Sequence, residues 1–526
     1  MKNPKPMYRH TGMLLLLLTT AISPTLAASS EPDTMLSFDV ESLLDDESVV
    51  TISLNEVVLQ ALKHNLDIIV SKQTRDVRVT DILFEQAKFD PTVEISARYD
   101  RSVVPLNRPV FGLGEITQGG EPDNFDQNDT KVSLGITQKL YSGGTYDMTL
   151  DTNRNSVAGP SSFLFNPSYT ANFLVNFTQP LLRDYGVKVN QAAIHIAQNS
   201  VQVEHYTFVN QVLDVILQVE DAYWELVFAR ENEEVFRAAL TAAKEVLASN
   251  RAKVEAGVMA EVEVLQAQVG VANRVEQIIM AQKTVRDQED QIRQLISPTE
   301  KELRKTLAMI PLDRPVQEYD ATTVNSAVDA ALQHRPEVLQ AQTNIESSHL
   351  NTKLAKNKLL PRLEFQGRVG LRGLGKDASD TLERTTSTDF YNIGAGMVLS
   401  YPLGNRSAKS QYRRRQLETT QAKNTLQNVR RQVIVETKEA VRRVQTDFKR
   451  MATTRIARKL ANRQRAAEQE RLNFGLSTTR QVLDFQRDEA IARVKELRAI
   501  LDYNQSLANL HRRTASTLDQ YNISLE

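Results

Sequence analysis

The chain has 526 residues and no cysteine. Disulfide stapling is therefore excluded, and so is a thiol for nucleophilic catalysis or for an amino-terminal lipid. After residue 28 no stretch approaches the roughly 20 consecutive apolar residues of a membrane-spanning helix, so any crossing of a bilayer must be made by strands. A formal net charge of -1, with 25% of residues charged, leaves no whole-chain field to attract nucleic acid. Aromatic residues make up only 6% of the chain. Long stretches rich in Ala, Gln, Glu and Arg point to extended helices in place of one compact core. Between Gly186 and Gly257 there is neither glycine nor proline, and the same holds between Gly404 and Gly475. Seven scattered histidines include no i, i+4 pair of the kind that binds zinc, and His64 and His334 take matching places near helix ends. There is no phosphate-binding glycine loop and no nucleophile elbow, so no enzyme, metal or cofactor is expected.

What is present is a duplication. Ala61-Leu62 and His64 match Ala331-Leu332 and His334, and Lys88, Pro91, Glu94 and Arg98 match Lys358, Pro361, Glu364 and Arg368, all at an offset of 270 positions. Further along, Gly186, Gly257, Val264-Leu265 and Gln268 match Gly404, Gly475, Val482-Leu483 and Gln486 at an offset of 218. The first copy therefore carries 52 extra residues between Arg98 and Gly186. A repeat this long is no solenoid unit, whose period is roughly 20 to 50 residues.

The proline-free stretches read as helices of about 100 Å at about 1.5 Å per residue. In the first copy Val209, Val212, Leu213, Ile216, Val219, Tyr223, Leu226 and Val227 recur at helical spacing, and more sparsely Val433, Val441, Val444 and Phe448 do so in the second. Such stripes predict coiled-coil packing, since a helix this long does not persist alone. Each ends at a glycine and is followed closely by a second helix, which makes an antiparallel hairpin with an exposed tip. After Pro91 and Pro361, and again over 169–180 and 390–402, apolar and polar residues alternate over about 10 positions, the span of a tilted membrane strand. A soluble sheet with one wet face alternates in the same way. The export signal, the aromatic strand ends and the arginines on the polar face favour a barrel. The extra residues hold a further candidate hairpin, whose place inside or outside that barrel the sequence leaves open.

Lys2, Lys5 and Arg9 precede the apolar run Met13 to Leu18 and the small residues near Ala27-Ala28, the pattern of a secretory signal peptide over 1–28. The acidic segment 29–52 is expected to be a flexible leader. The first repeat is expected over 53–296, with strands about 91–104 and 169–180, the inserted hairpin 131–155 and a long helical hairpin 187–296. A connector spans 297–322. The second repeat covers 323–515, with strands about 361–373 and 390–402 and a helical hairpin 405–510, and a tail of 516–526 follows.

Taken in order, these pieces resemble the TolC-type outer-membrane efflux proteins. The resemblance rests on the duplicated Ala-Leu-x-His openings, on Pro91 and Pro361, and on the corners Thr178–Gly186 and Ser400–Gly404. It rests also on the tip motif from Gly475 to Val482-Leu483-Asp484. It implies an α+β membrane protein with an internal duplication, a homotrimer sharing one outer-membrane β-barrel. Each chain would give four strands, or six if the hairpin joins, for roughly twelve in all. A long α-helical coiled-coil barrel would continue it through the periplasm. It implies an exit duct of a tripartite efflux or type I secretion system, passive, with a periplasmic adaptor (membrane fusion) protein and an inner-membrane transporter as partners, and no nucleic acid. Such proteins narrow their periplasmic end with acidic residues, and the matching positions here are Asp484, Gln481 and Glu263. The tips Gly257-Val258 and Gly475-Leu476 would meet the adaptor. Arg413-Arg414-Arg415, Arg430-Arg431 and Arg442-Arg443 lie among glutamates and read as solvated or paired helix faces. The reading of a different class is an exported coiled-coil structural or adhesive protein without a pore.

Overall fold

A computed structural model describes residues 49–105, 124–158, 163–305 and 307–525. The expected signal peptide lies outside these residues.

The chain opens with a short strand, β1 (Val49–Ile52), then α1 (Leu54–His64) and α2 (Leu66–Ala87). Four strands follow, β2 (Thr92–Pro105), β3 (Asn124–Lys139), β4 (Thr145–Ala158) and β5 (Ser168–Pro180). The helical turn α3 (Val187–Asn190) leads into α4 (Ala192–Glu255), which turns back as α5 (Glu261–Ile296). Next come α6 (Glu300–Leu303) and β6 (Ala308–Pro311), and then the second copy begins with α7 (Val324–His334) and α8 (Pro336–Asn357). It continues with β7 (Arg362–Gly375), α9 (Ala378–Thr386), β8 (Tyr391–Ser400), α10 (Arg406–Asn473) and α11 (Thr479–Thr514), and closes on α12 (Thr517–Gln520).

Local chemistry sets the helix ends. Ser53 caps α1 through its side chain, Asn65 caps α2 by accepting from the Asp67 and Ile68 amides, and Thr323 caps α7. Helices α4 and α10, with 64 and 68 residues, are each about 100 Å long. The first is not continuous from Gly186 as expected, because Gln191 interrupts it and leaves α3 as a separate turn. Helix α4 packs on α5, α2, α8 and α11, and α10 packs on α11, α8 and α7. The long helices α4 and α10 are thus flanked by α2 and α8 over one part and by α5 and α11 over the other, with α1 and α7 packed against them midway.

Three expectations need correction. Val49–Ile52 is not leader but pairs in parallel with β6, so the connector and the residues ahead of α1 form a small sheet. Its Ile52 and Met309 are buried with Val57, Val58, Val212, Val219, Tyr223 and Leu226 in the main core cluster, midway along α4. The residues expected as a tail after α11 are part of the core, since Leu518, Tyr521, Ile523 and Leu525 pack on that same cluster. Of the two strand counts left open, four and six, the sheet has six, because β3 and β4 stand within one antiparallel sheet of order β2-β3-β4-β5-β7-β8. The inserted strands also run longer than the expected 131–155.

The connector is sewn to the rod by buried polar groups. The Tyr223 hydroxyl donates to Asp313 Oδ2 at 2.6 Å and accepts from the Asp313 amide at 3.1 Å. Asn504 accepts from the Val316 amide at 2.8 Å and donates to the Val316 carbonyl at 3.0 Å. Glu289, wholly buried, accepts from Arg230 at 2.6 Å and from the Met309 amide at 2.9 Å. Each removes the cost of burying an unpaired polar group and fixes the connector's register.

Beside these lies Glu220, 3% exposed, whose Oε1 accepts from the Tyr521 hydroxyl at 2.7 Å. Burial pushes its carboxyl up from 4.5 to about 7, and the Tyr521 bond offsets this only in part. A raised folded-state value means that the protonated form is the one the fold favours. Its contribution is complete below about 4.5 and is lost as pH rises through about 7. The apparent Tm of the purified protein should fall between pH 5 and pH 8. Glu220→Gln, which keeps the acceptor for Tyr521, should flatten that slope and add about 1–3 kcal/mol at pH 8. Equal slopes for both proteins would refute the assignment.

Candidate functional site

Two regions carry the chemistry, the sheet and the far ends of the helical hairpins. In the sheet the strand registers bring apolar residues into line. Ile95 faces Leu134, which faces Leu150, then Phe173, Leu371 and Tyr391, one unbroken row across all six strands. Two residues away, Val93, Ile136, Met148, Val175, Val369 and Ile393 form a second such row. Period-two alternation puts both rows on the same face. Most of these side chains stay open, Ile95 at 74%, Ile393 at 69% and Val369 at 50% exposure. The alternate positions are mostly polar or glycine, as in the row Ser96, Ser133, Asp151, Asn172, Arg372, with Leu174 an exception. One face thus offers an apolar band to its surroundings, far beyond the scattered apolar residues of a soluble surface.

Helix α9, which sequence reading missed, closes over the end of β7 and β5. Asp377 caps it by accepting from the Asp380 amide at 2.9 Å, and its buried Thr381 hydroxyl donates to the Tyr169 carbonyl at 3.1 Å. An Asp three residues ahead of Asp380, in a loop expected only to join two strands, was the available signal.

At their far ends the two helical hairpins share one geometry. The Val258 amide donates to the Lys253 carbonyl at 2.9 Å, and the Leu476 amide to the Arg471 carbonyl at 2.8 Å. Between these residues Gly257 and Gly475 adopt φ of +75° and +71°. This is the helix stop that a glycine permits without strain. Val258, Leu476 and Phe474 are 74%, 68% and 80% exposed, so each tip ends in bare apolar side chains.

The three expected acidic-ring positions fall differently. Asp484 is half exposed on α11 and pairs with Arg487 one turn along, Oδ1 to Nη1 at 3.2 Å. Gln481 has a local task, since its side chain accepts from the Thr478 amide while Thr478 Oγ1 accepts from the Gln481 amide, a reciprocal cap. Glu263 is half-buried in the first turn of α5, and its carbonyl is used by Asn250. Asn250, unnoticed in the sequence, is fully buried. Its Nδ2 donates to the Glu263 carbonyl at 3.2 Å and to Thr479 Oγ1 at 3.0 Å, tying α4, α5 and α11 together. Nearby Val246, Leu472 and Val482 form a small apolar cluster, and Leu483 lies against Gly270. Arg274, buried on α5, is held below the usual arginine range by burial and by the charge of Arg487. Among the described residues no group of His, Asp and Glu is placed to hold a metal. Of the arginine runs, Arg414 and Arg415 pair with Glu418, at 2.9 and 2.8 Å.

The family model of the outer membrane efflux proteins matches residues 145–297 and 327–516. The chain belongs to that family, in the TolC-type branch. It is 22% identical over 229 residues to outer membrane protein TolC of Vibrio cholerae, an alignment covering 44% of this chain and half the length of that relative. Solved structures share the fold. They include the CmeC outer membrane channel of Campylobacter jejuni, with a TM-score of 0.61, 17% identity and 90% of each chain covered. Outer membrane protein VceC of Vibrio cholerae matches with a TM-score of 0.61 at 15% identity, covering 88% of this chain and 95% of that one. The open state of the MtrE outer membrane channel of Neisseria gonorrhoeae gives 0.60 at 14%, with 88% and 89% covered. In the first half of the chain the family match begins at β4, leaving β2 and β3 outside it.

Asn250→Ala should leave the Thr479 hydroxyl and the Glu263 carbonyl without their buried partner, at a local cost of about 1–3 kcal/mol. Hydrogen exchange should then speed up over 256–265 and 474–484 while the main core cluster is unchanged. In a double-mutant cycle with Thr479→Val the two effects should be less than additive. Full additivity would dismiss the link.

Proposed function

We propose that three copies of this chain form a passive exit duct in the outer membrane, the last section of a tripartite efflux or type I secretion system. The observation that carries this is the exposed apolar band on a sheet whose two outer strands each leave one edge unpaired among the described residues. Strands β2 and β8 offer free backbone groups at the sheet edges, and nearly all their residues are exposed. An open edge cannot stand in lipid, where every backbone group needs a partner. Since β2 and β8 run in opposite directions, β8 of one copy can pair with β2 of the next and close a ring. The rod of four helices per chain then becomes a tunnel through the periplasm, and its tips reach the adaptor. Energy comes from an inner-membrane transporter. The apolar tips Gly257-Val258 and Gly475-Leu476 are the adaptor contacts, and an Asp484 from each chain faces the axis at the narrow end. Three like charges so gathered favour cations over anions. Arg487 beside each carboxylate limits how far they do so.

The protein extracted in mild detergent should run as a heat-modifiable trimer and form cation-preferring channels in planar bilayers. Asp484→Ala should lower the cation preference several-fold without abolishing conductance. A water-soluble monomer that forms no channels would overturn the proposal.

A further inference from the structure

Resting on that reading, we infer that the β3–β4 hairpin is part of the membrane wall, so that the barrel has eighteen strands. The exit is then as wide as the helical tunnel beneath it, and admits whatever cargo the tunnel admits. Three observations carry this. The first is position. The hairpin stands between β2 and β5, not at an edge, so the sheet has no path from β2 to β5 that avoids it. Two inserted strands are also the smallest addition that keeps neighbours antiparallel, and all five pairings are antiparallel.

The second is register. Leu134, Ile136, Met148 and Leu150 sit in the two rows that run from β2 to β8, with no step at either seam. A slip of one residue would have turned this set inward. Their neighbours Ser133, Thr149 and Asp151 fall on the polar face with Asn172 and Arg372.

The third is the anchor. The hairpin's turn is bolted into the junction where strands become helices. The Gly186 amide donates to the Ser142 carbonyl at 2.9 Å, Gln138 Nε2 donates to the Phe89 carbonyl at 2.8 Å, and the rings of Phe89 and Tyr141 lie 4.5 Å apart. Gly143, with φ of +94°, lies so close that a Cβ there would come within 2.2 Å of the Asp184 carbonyl oxygen.

Geometry supplies the consequence. At about 4.8 Å between strands and about 40° of tilt, a closed barrel of twelve strands has a backbone radius of roughly 12 Å, and one of eighteen roughly 18 Å. Four helices per chain, twelve in a ring at about 9–10 Å spacing, put the helix axes at roughly 17–19 Å. At this tilt eighteen strands match the ring of helix axes, and twelve would need a steeper tilt to do so. The exit then sets no size limit of its own, and selection passes to the tips.

The native chain lacks cysteine, so any introduced thiol is the sole labelling site. The intact trimer in vesicles of brominated phosphatidylcholine is labelled with a small fluorophore at Leu134→Cys, Ser133→Cys, Leu150→Cys and Thr149→Cys, with Ile393→Cys and Asn392→Cys on β8 for comparison. Quenching several-fold stronger at Leu134 and Leu150 than at their neighbours, equal to the contrast between Ile393 and Asn392, is the expected result. Contrast on β8 without contrast on the hairpin would overturn the inference and leave the channel reading intact. No contrast on either would overturn both. As a second measure, Ala97→Cys with Val132→Cys should form a disulfide within one chain of the membrane-embedded trimer, and its absence under oxidation would count against β3 lying beside β2.

Discussion

The molecule depends on the alignment of side chains across its sheet. A strand shows one face to lipid and one to water only if alternate residues differ, and a sheet does so only if every neighbour keeps step. Here six strands from two distant parts of the chain keep step through two complete apolar rows. In lipid the band lowers the free energy and the paired backbone removes the cost of unmet hydrogen bonds. The edges are the exception, since among the described residues one side of β2 and one side of β8 have no strand partner.

The helical part answers to a different requirement. Rods of about 100 Å hold together only by continuous lateral packing. The chain provides it with a sparse apolar stripe supplemented by buried charge. Arg335 joins Glu337 and Glu436, at 3.0 and 2.8 Å, and Arg512 joins Asp214 at 2.6 Å, linking α8, α10, α11 and α4. A pair of this kind adds little net stability over apolar packing, but breaking one partner leaves the other charge stranded. Its effect is to fix how far one helix slides past the next, the quantity that apolar stripes at helical spacing leave loose.

Much of this was legible in the sequence, and the physical reasons differ by element. Long helices announce themselves by the absence of glycine and proline, so Gly186, Gly257, Gly404 and Gly475 marked their ends to within a few residues. Gln191 broke the first one early, with no residue type to signal it. Strand alternation gave the faces of β2, β5, β7 and β8. It could not say which strands are neighbours, because pairing is a non-local choice. That is why the hairpin between Arg98 and Gly186 was visible but its place was not. Val49–Ile52 was read as part of a leader and the last residues as a tail, and both are ordered by contacts with a core distant in sequence, Met309 with β1 and Glu220 with Tyr521. Asn250 escaped notice because one asparagine in a long helix usually faces solvent.

The two tips are alike in one respect and differ in another. Both stop their first helix by the same glycine geometry, but they begin the second helix differently. Helix α11 starts with the reciprocal Thr478–Gln481 cap, reinforced by Ser477 bonded to Glu468. Helix α5 starts at Ala260 with no side-chain cap, only Glu261 and Glu263 near the positive end of its dipole. The first tip is therefore the weaker turn by itself, short of about 1 kcal/mol of capping. Asn250 acts at this weakness: by holding the Glu263 carbonyl and Thr479 together it lets the well-capped helix steady the poorly capped one. Among the described residues near the tips, the Asn250 amide is a buried polar tie between the two hairpins, so loosening of these ends should begin at the first one.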